Sequence, residues 1–160
     1  MKSFILINRG KKLLNYMTLI GLLSSFLISQ VCVANPTNTS GEVITPQSFI
    51  QKQVGGGKAF IEIFKEGKNA FVGRLTLAPH GEVPKHRDPT EEYLLIESGQ
   101  GYITIDGKKT LVKAGDFIYM PAQAEVSFKN GDQPLTALQI FAGPQSARKY
   151  DSWQTVNSPK

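Results

Sequence analysis

The sequence holds one cysteine, Cys32, and two histidines, His80 and His86, in 160 residues. A lone thiol excludes an intramolecular disulfide, a paired-cysteine redox motif and a cysteine-built zinc site. No Gly-rich segment is followed by Lys-Ser/Thr, so there is no phosphate loop, and there is no nucleophile elbow. Outside the N-terminus there is little excess of either charge. Four of the 18 basic side chains, and none of the 13 acidic ones, lie in residues 1–34, which leaves 14 against 13 in the remainder. The basic pI of the whole chain thus belongs mainly to its first segment, and nothing points to nucleic acid as a partner.

That first segment has the pattern of an export signal. Lys2, Arg9, Lys11 and Lys12 precede an apolar run from Leu13 to Ala34 that ends in Cys32-Val33-Ala34, followed by Asn35-Pro36. Small residues at Cys32 and Ala34 suit cleavage after Ala34, which implies a periplasmic or secreted protein with no stable membrane insertion once the signal is gone. The run is long enough for a retained span. However, it carries Asn15, Tyr16 and several hydroxyls, and no basic stop signal follows. A lipidated Cys32 would need a small residue before it, where Val31 stands. The chain remaining after cleavage is long enough to bury a core without disulfides.

Four regions follow: the signal (1–34), a leader (35–57), a strand-rich domain (58–143) and a tail (144–160). In the leader, Thr45 as N-cap and Pro46 at the first helical position predict a short helix through Gln53, stopped by the joint Gly55-Gly56-Gly57. Beyond Lys58, short β-type runs alternate with turn residues: Phe60–Phe64, Ala70–Ala78, Glu92–Glu97, Tyr102–Ile105, Thr110–Val112, Asp116–Met120, Glu125–Lys129 and Leu135–Ala142. Asp106-Gly107 between two such runs is a hairpin signal, because both residues tolerate positive φ. Many short strands with no long amphipathic helix between them predict an all-β antiparallel sandwich or barrel. The tail is expected to carry a short helix around Gln145–Tyr150 that covers one barrel end.

Two motifs shape the second half. His86-Arg87-Asp88 is followed after three residues by Glu92 and after six more by Gly99. Gly115 is followed after five residues by Pro121, then by Gln123, Val126 and Asn130. In order and spacing these resemble the two motifs of the cupin superfamily, which implies a jelly-roll β-barrel (a double-stranded β-helix) with short terminal helices. In metal-binding cupins the ligands are two His and a Glu of the first motif and a His of the second. By that match His86 and Glu92 keep their ligand types, Asp88 stands for the second His, and Val126 stands for the last. Gln123 replaces a turn glycine, and four residues rather than five separate Gly81 from His86.

The residues support a site independently. Side chains alternate along a strand, so His86 and Asp88 share a face, and Glu92 begins a run with Leu94 and Ile96 on one face. An imidazole and two carboxylates meeting at a barrel mouth would suit one divalent transition metal, iron, manganese or zinc. The competing reading is structural: Asp88 capping the Pro89-Thr90 turn, His86 hydrogen-bonded at the rim, and Glu92 paired with Arg87 or Arg74. Arg74 and Gln139, on strands beside the motifs, join Glu92 as candidate ligand-binding residues. His80 reads as a loop residue, and Glu125 faces away from Val126 in a regular strand.

Three functions fit these features. The leading one is a barrel that binds a small molecule, favoured by the loss of two histidine ligands. The second is a metal-dependent enzyme of dioxygenase, isomerase or lyase type, kept open by His86 and Glu92. The third is an interaction protein, and by resemblance a homodimer is expected in any case.

Overall fold

The computed structural model describes residues 40–157. The segment read as an export signal, with its cleavage point after Ala34, lies outside the described residues.

A one-turn 3-10 helix, Pro46–Ser48, leads into β1 (Ile50–Val54), β2 (Ala59–Glu66) and β3 (Phe71–Leu77). Next come β4 (Glu82–Arg87), β5 (Glu92–Ser98), β6 (Gln100–Ile105) and β7 (Lys108–Lys113). The chain ends with β8 (Phe117–Met120), β9 (Glu125–Asn130), β10 (Leu135–Phe141), a second 3-10 helix (Pro144–Ser152) and β11 (Gln154–Asn157). Every pairing is antiparallel. One sheet has the order β11-β1-β2-β3-β10-β5-β8, the other β4-β9-β6-β7. The two face each other as a jelly roll, the all-β architecture the strand spacing predicts. Among the described residues no helix is long and apolar enough to cross a membrane.

Alternation builds the interior. Along β10, Leu135, Ala137, Gln139 and Phe141 are buried and the residues between them are partly exposed. Along β5, Glu92, Leu94 and Ile96 point inward. Ile96, Met120, Phe71, Phe141 and Ile61 are the largest fully buried side chains, each worth about 1.5–3 kcal/mol of burial. The turns are set by left-handed residues. Asp106 (φ 47°) and Gly107 (φ 82°) form the expected hairpin between β6 and β7. Gln123 sits at φ 65°, the backbone that the glycine of the second motif would supply without strain.

The leader differs from expectation. The helix from Thr45 stops after one turn, and Ile50–Val54 is a strand held between β2 and β11. Sheet pairing on both sides satisfies this backbone, whereas an isolated helix of that length is marginal. Gly55, Gly56 and Gly57 all have positive φ (64°, 65°, 91°) and make the tight β1–β2 turn, so the glycine joint is a defined hairpin.

In the tail helix, the three-residue period of a 3-10 turn aligns Ala147, Tyr150 and Trp153 on one row. Ala147 and Tyr150 are buried beside Ile61, Phe71 and Phe141, and Trp153 packs against this cluster. The adjacent row carries Ser146, whose hydroxyl meets that of Thr90 at 2.6 Å, and Lys149. The row therefore faces the 88–90 turn.

Candidate functional site

A cavity of about 570 Å³ opens between the sheets. Its deep wall is aliphatic and aromatic, including Leu94, Ile96, Ile103, Met120, Phe128 and Ala137. The polar residues lining it include His86, Asp88, Glu92, Gln139, Lys149 and Tyr150.

Each polar group has a local cause. His86 faces inward because β4 is irregular between Val83 and His86: two residues three apart reach the same face only through such a break. Pro84 lies in the break, and its carbonyl is 2.9 Å from His86 Nδ1. Opposite His86 across the ladder stands Val126. Asp88 follows the end of β4, and its Oδ2 lies 3.4 Å from His86 Nε2. Glu92 opens β5 and is 6% exposed. One donor atom from each of His86, Asp88 and Glu92 lies within 4.8 Å of the others, so the three side chains do converge.

Two further partners complete the cluster. Gln139 Nε2 donates to Glu92 Oε1 at 2.6 Å, and Tyr150 OH donates to Gln139 Oε1 at 2.6 Å. Gln139 is inward-facing on β10, diagonal to Glu92 across the β5 ladder. Lys149 Nζ donates to Asp88 Oδ2 at 2.7 Å and lies 4.9 Å above the Phe141 ring. Asp88 is thus shared between His86 and Lys149.

The charges follow. Burial pushes the Glu92 carboxyl up, against the opposing pull of the Gln139 hydrogen bond and the Lys149 charge. The hydrogen bond to Asp88 raises the His86 imidazole, overcoming its partial burial. Burial pushes Asp88 up too, but the combined bonds and charges of His86 and Lys149 hold it below its ordinary value. Burial also drives the Tyr150 phenol upward, so this hydroxyl stays a donor.

Other expected residues lie elsewhere. Arg74 does not reach the cavity. Its neighbours Gly73 and Leu75 face inward, so Arg74 takes the outer face of β3 by parity. There it pairs with Glu97 at 2.8 Å and Glu62 at 3.3 Å and stacks over Phe64. Glu92 meets Gln139 rather than either arginine, and Arg87 pairs with Glu125 on the rim. His80 is an exposed loop residue beside Asp132, and Glu125 bonds Lys85 outside the cavity.

The cupin domain family matches residues 73–141, the span that carries both motifs and most of the jelly roll. Residues 73–141 thus carry a cupin domain. Solved cupins share the fold. An RmlC-like cupin from Shewanella frigidimarina is 12% identical with a TM-score of 0.61, covering 68% of this chain and 96% of its own. A predicted oxalate decarboxylase from Thermotoga maritima is 20% identical with a TM-score of 0.54, covering 64% and 99%. The DMSP lyase DddQ from Ruegeria pomeroyi is 18% identical with a TM-score of 0.52, covering 57% and 52%. At these identities the likeness is one of fold.

Cupins often hold a metal, so the donor set matters. As arranged here it does not fit a resident ion. The Asp88 oxygen turned toward His86 is the one bound by the Lys149 ammonium. Val126 offers no donor. A divalent ion would also face the Lys149 charge in a partly dry site, where like charges repel strongly.

Lys149 and Tyr150 were not singled out by the sequence motifs, because they sit in the tail beyond both. The spacing Ala147, Tyr150, Trp153 is the signal that would have placed them: it seats one helix face on the barrel and leaves Lys149 at the mouth.

Proposed function

We propose that this cupin is an exported, single-domain protein that binds a small molecule in the barrel mouth. The observation that carries the reading is the cavity itself. Its volume lies within the ordinary range for small-molecule pockets, it is apolar in depth, and a few polar groups converge at its opening. A ligand with an apolar body and a hydrogen-bonding head fits that division. Glu92 presents a buried carboxyl to the ligand, while the Lys149 and His86 side chains offer N–H donors beside it. Gln139 orients Glu92 and is itself held by Tyr150.

The test is a thermal-shift screen of small carboxylic acids, sugars and aromatic compounds on chelator-treated protein. Pocket-sized compounds are expected to stabilise it, and Ala137→Phe, which fills the cavity, is expected to abolish the shift. Equal stabilisation of that variant would refute the pocket as the site. Export rests on the basic and apolar pattern before Asn35. Mass determination of the secreted or periplasmic protein is expected to give a chain beginning at Asn35.

A second reading, a metal-dependent cupin enzyme of dioxygenase, isomerase or lyase type, is supported by the convergence of His86, Asp88 and Glu92. It requires Lys149 to withdraw from Asp88. Elemental analysis of protein purified without chelators separates the readings: one iron, manganese or zinc per chain, lost in His86→Ala, favours the enzyme.

A further inference from the structure

We infer that Lys149 takes the place of the metal cation at this barrel mouth, so that the tail helix supplies the positive charge of the site. The inference rests on the pocket reading only in taking the mouth as the ligand site.

Three observations carry it. Lys149 Nζ sits 2.7 Å from Asp88 Oδ2, the same oxygen that lies 3.4 Å from His86 Nε2. It lines the same cavity as the other two members of the group, His86 and Glu92. Its place is fixed rather than casual. The ammonium lies over the Phe141 ring, the next residue Tyr150 is buried and bonded to Gln139, and Ser146 one turn earlier is bonded to Thr90. A lysine held at both flanks loses less freedom on pairing than a free surface lysine would.

Val126 completes the exchange. It stands in register with His86, where a nitrogen donor would face an ion, and presents a branched apolar wall instead. The ammonium brings one charge, three directed donors and no open coordination position. The site therefore polarises or anchors an acceptor group without Lewis-acid chemistry.

The experiment titrates Zn²⁺ and Mn²⁺, each alone, into chelator-treated full-length protein, and reads heat by calorimetry and the His86 ring resonances by NMR. In the wild-type protein neither metal is expected to give saturable one-to-one binding, and the His86 signals stay in place at stoichiometric metal. Lys149→Met keeps the stem on Phe141 and removes the charge; it is expected to bind one Zn²⁺ per chain, at least about tenfold more tightly than any binding the wild type shows. Lys149→Arg is expected to behave as the wild type. One-to-one Zn²⁺ binding by the wild type that moves the His86 resonances would overturn the proposal. So would equal affinity in the wild type and a folded Lys149→Met. The wild-type titration decides even where the variant fails to fold. Failure of the small-molecule screen would count against the pocket reading and leave these metal results standing.

Discussion

Two buried polar side chains, Asn130 and Glu92, sit in the same barrel and are held in opposite ways. Asn130 is 3% exposed, and its amide donates to the backbone carbonyls of Leu77, Ala78 and Gln133 while its oxygen accepts from the Gly131 N–H. It is neutral and tied only to main chain, at the far end of β9 from Val126. Glu92 is nearly as buried but is held by a side chain, Gln139, that is held by another, Tyr150. It titrates, and it borders the cavity. Both were motif residues in the sequence. The first ties the end of β3 to the β9–β10 turn, whereas the second keeps a polar group available at the cavity. Burial alone does not distinguish structure from site; the nature of the partners does.

The contrast can be broken by substitution. Asn130→Ala removes four hydrogen bonds to main chain and is expected to cost about 3 kcal/mol in urea unfolding, by the same amount at pH 5 and pH 8. A pH-dependent loss would place Asn130 in the titrating network. Gln139→Leu removes the partner of Glu92 and of the Tyr150 hydroxyl, and about 2–4 kcal/mol is expected from the two orphaned groups. It also raises the Glu92 pKa further, since the lost hydrogen bond is one that lowers it.

Glu92→Gln separates the two residues by pH. A carboxyl whose pKa is raised on folding is favoured as the neutral acid, so native stability falls as pH rises from its ordinary 4.5 through the raised value. The His86 contribution runs the same way: it is fully present below 6.5 and is lost as pH rises through the raised value. Asp88 runs opposite, its contribution being lost only as pH falls below 3.8 through the lowered value. Glu92→Gln is therefore expected to gain stability relative to the wild type as pH is raised across that window. A constant difference between pH 4 and pH 8 would contradict the assigned direction.

The smallest effect belongs to Arg74→Ala. Arg74 is an outer-face residue in exposed ion pairs, and its loss is expected to cost less than about 1 kcal/mol and leave ligand binding unchanged. Weakened binding would return Arg74 to the site.

These cases show what the sequence makes legible. Strand alternation, the Asp106-Gly107 turn and the motif spacing yielded the jelly roll, because they are local signals with a period. The grouping of His86, Asp88 and Glu92 is legible from motif spacing, although the break in β4 and the connection between β4 and β5, rather than strand parity, bring the three together. Arg74 was misplaced because motif proximity says nothing of parity within β3, where Gly73 and Leu75 claim the inner face. Ile50–Gln53 reads as helix from sequence because its pairing partners, β2 and β11, lie on both sides of it in space and one of them about a hundred residues away in sequence. Lys149 was missed for the same reason: its meeting with Asp88 spans 61 residues and depends on how the tail folds back.

The central claim is that the apolar depth and the polar mouth form one ligand site. Its most direct test follows the methyl resonances of Leu94, Ile96 and Ile103 and the His86 ring resonances by NMR, while chelator-treated protein is titrated with a hit from the screen. Both sets are expected to move with one affinity, and Ala137→Phe is expected to silence both. Movement confined to outer-face residues such as Phe117 and Tyr119, with the cavity methyls and His86 unmoved, would contradict it.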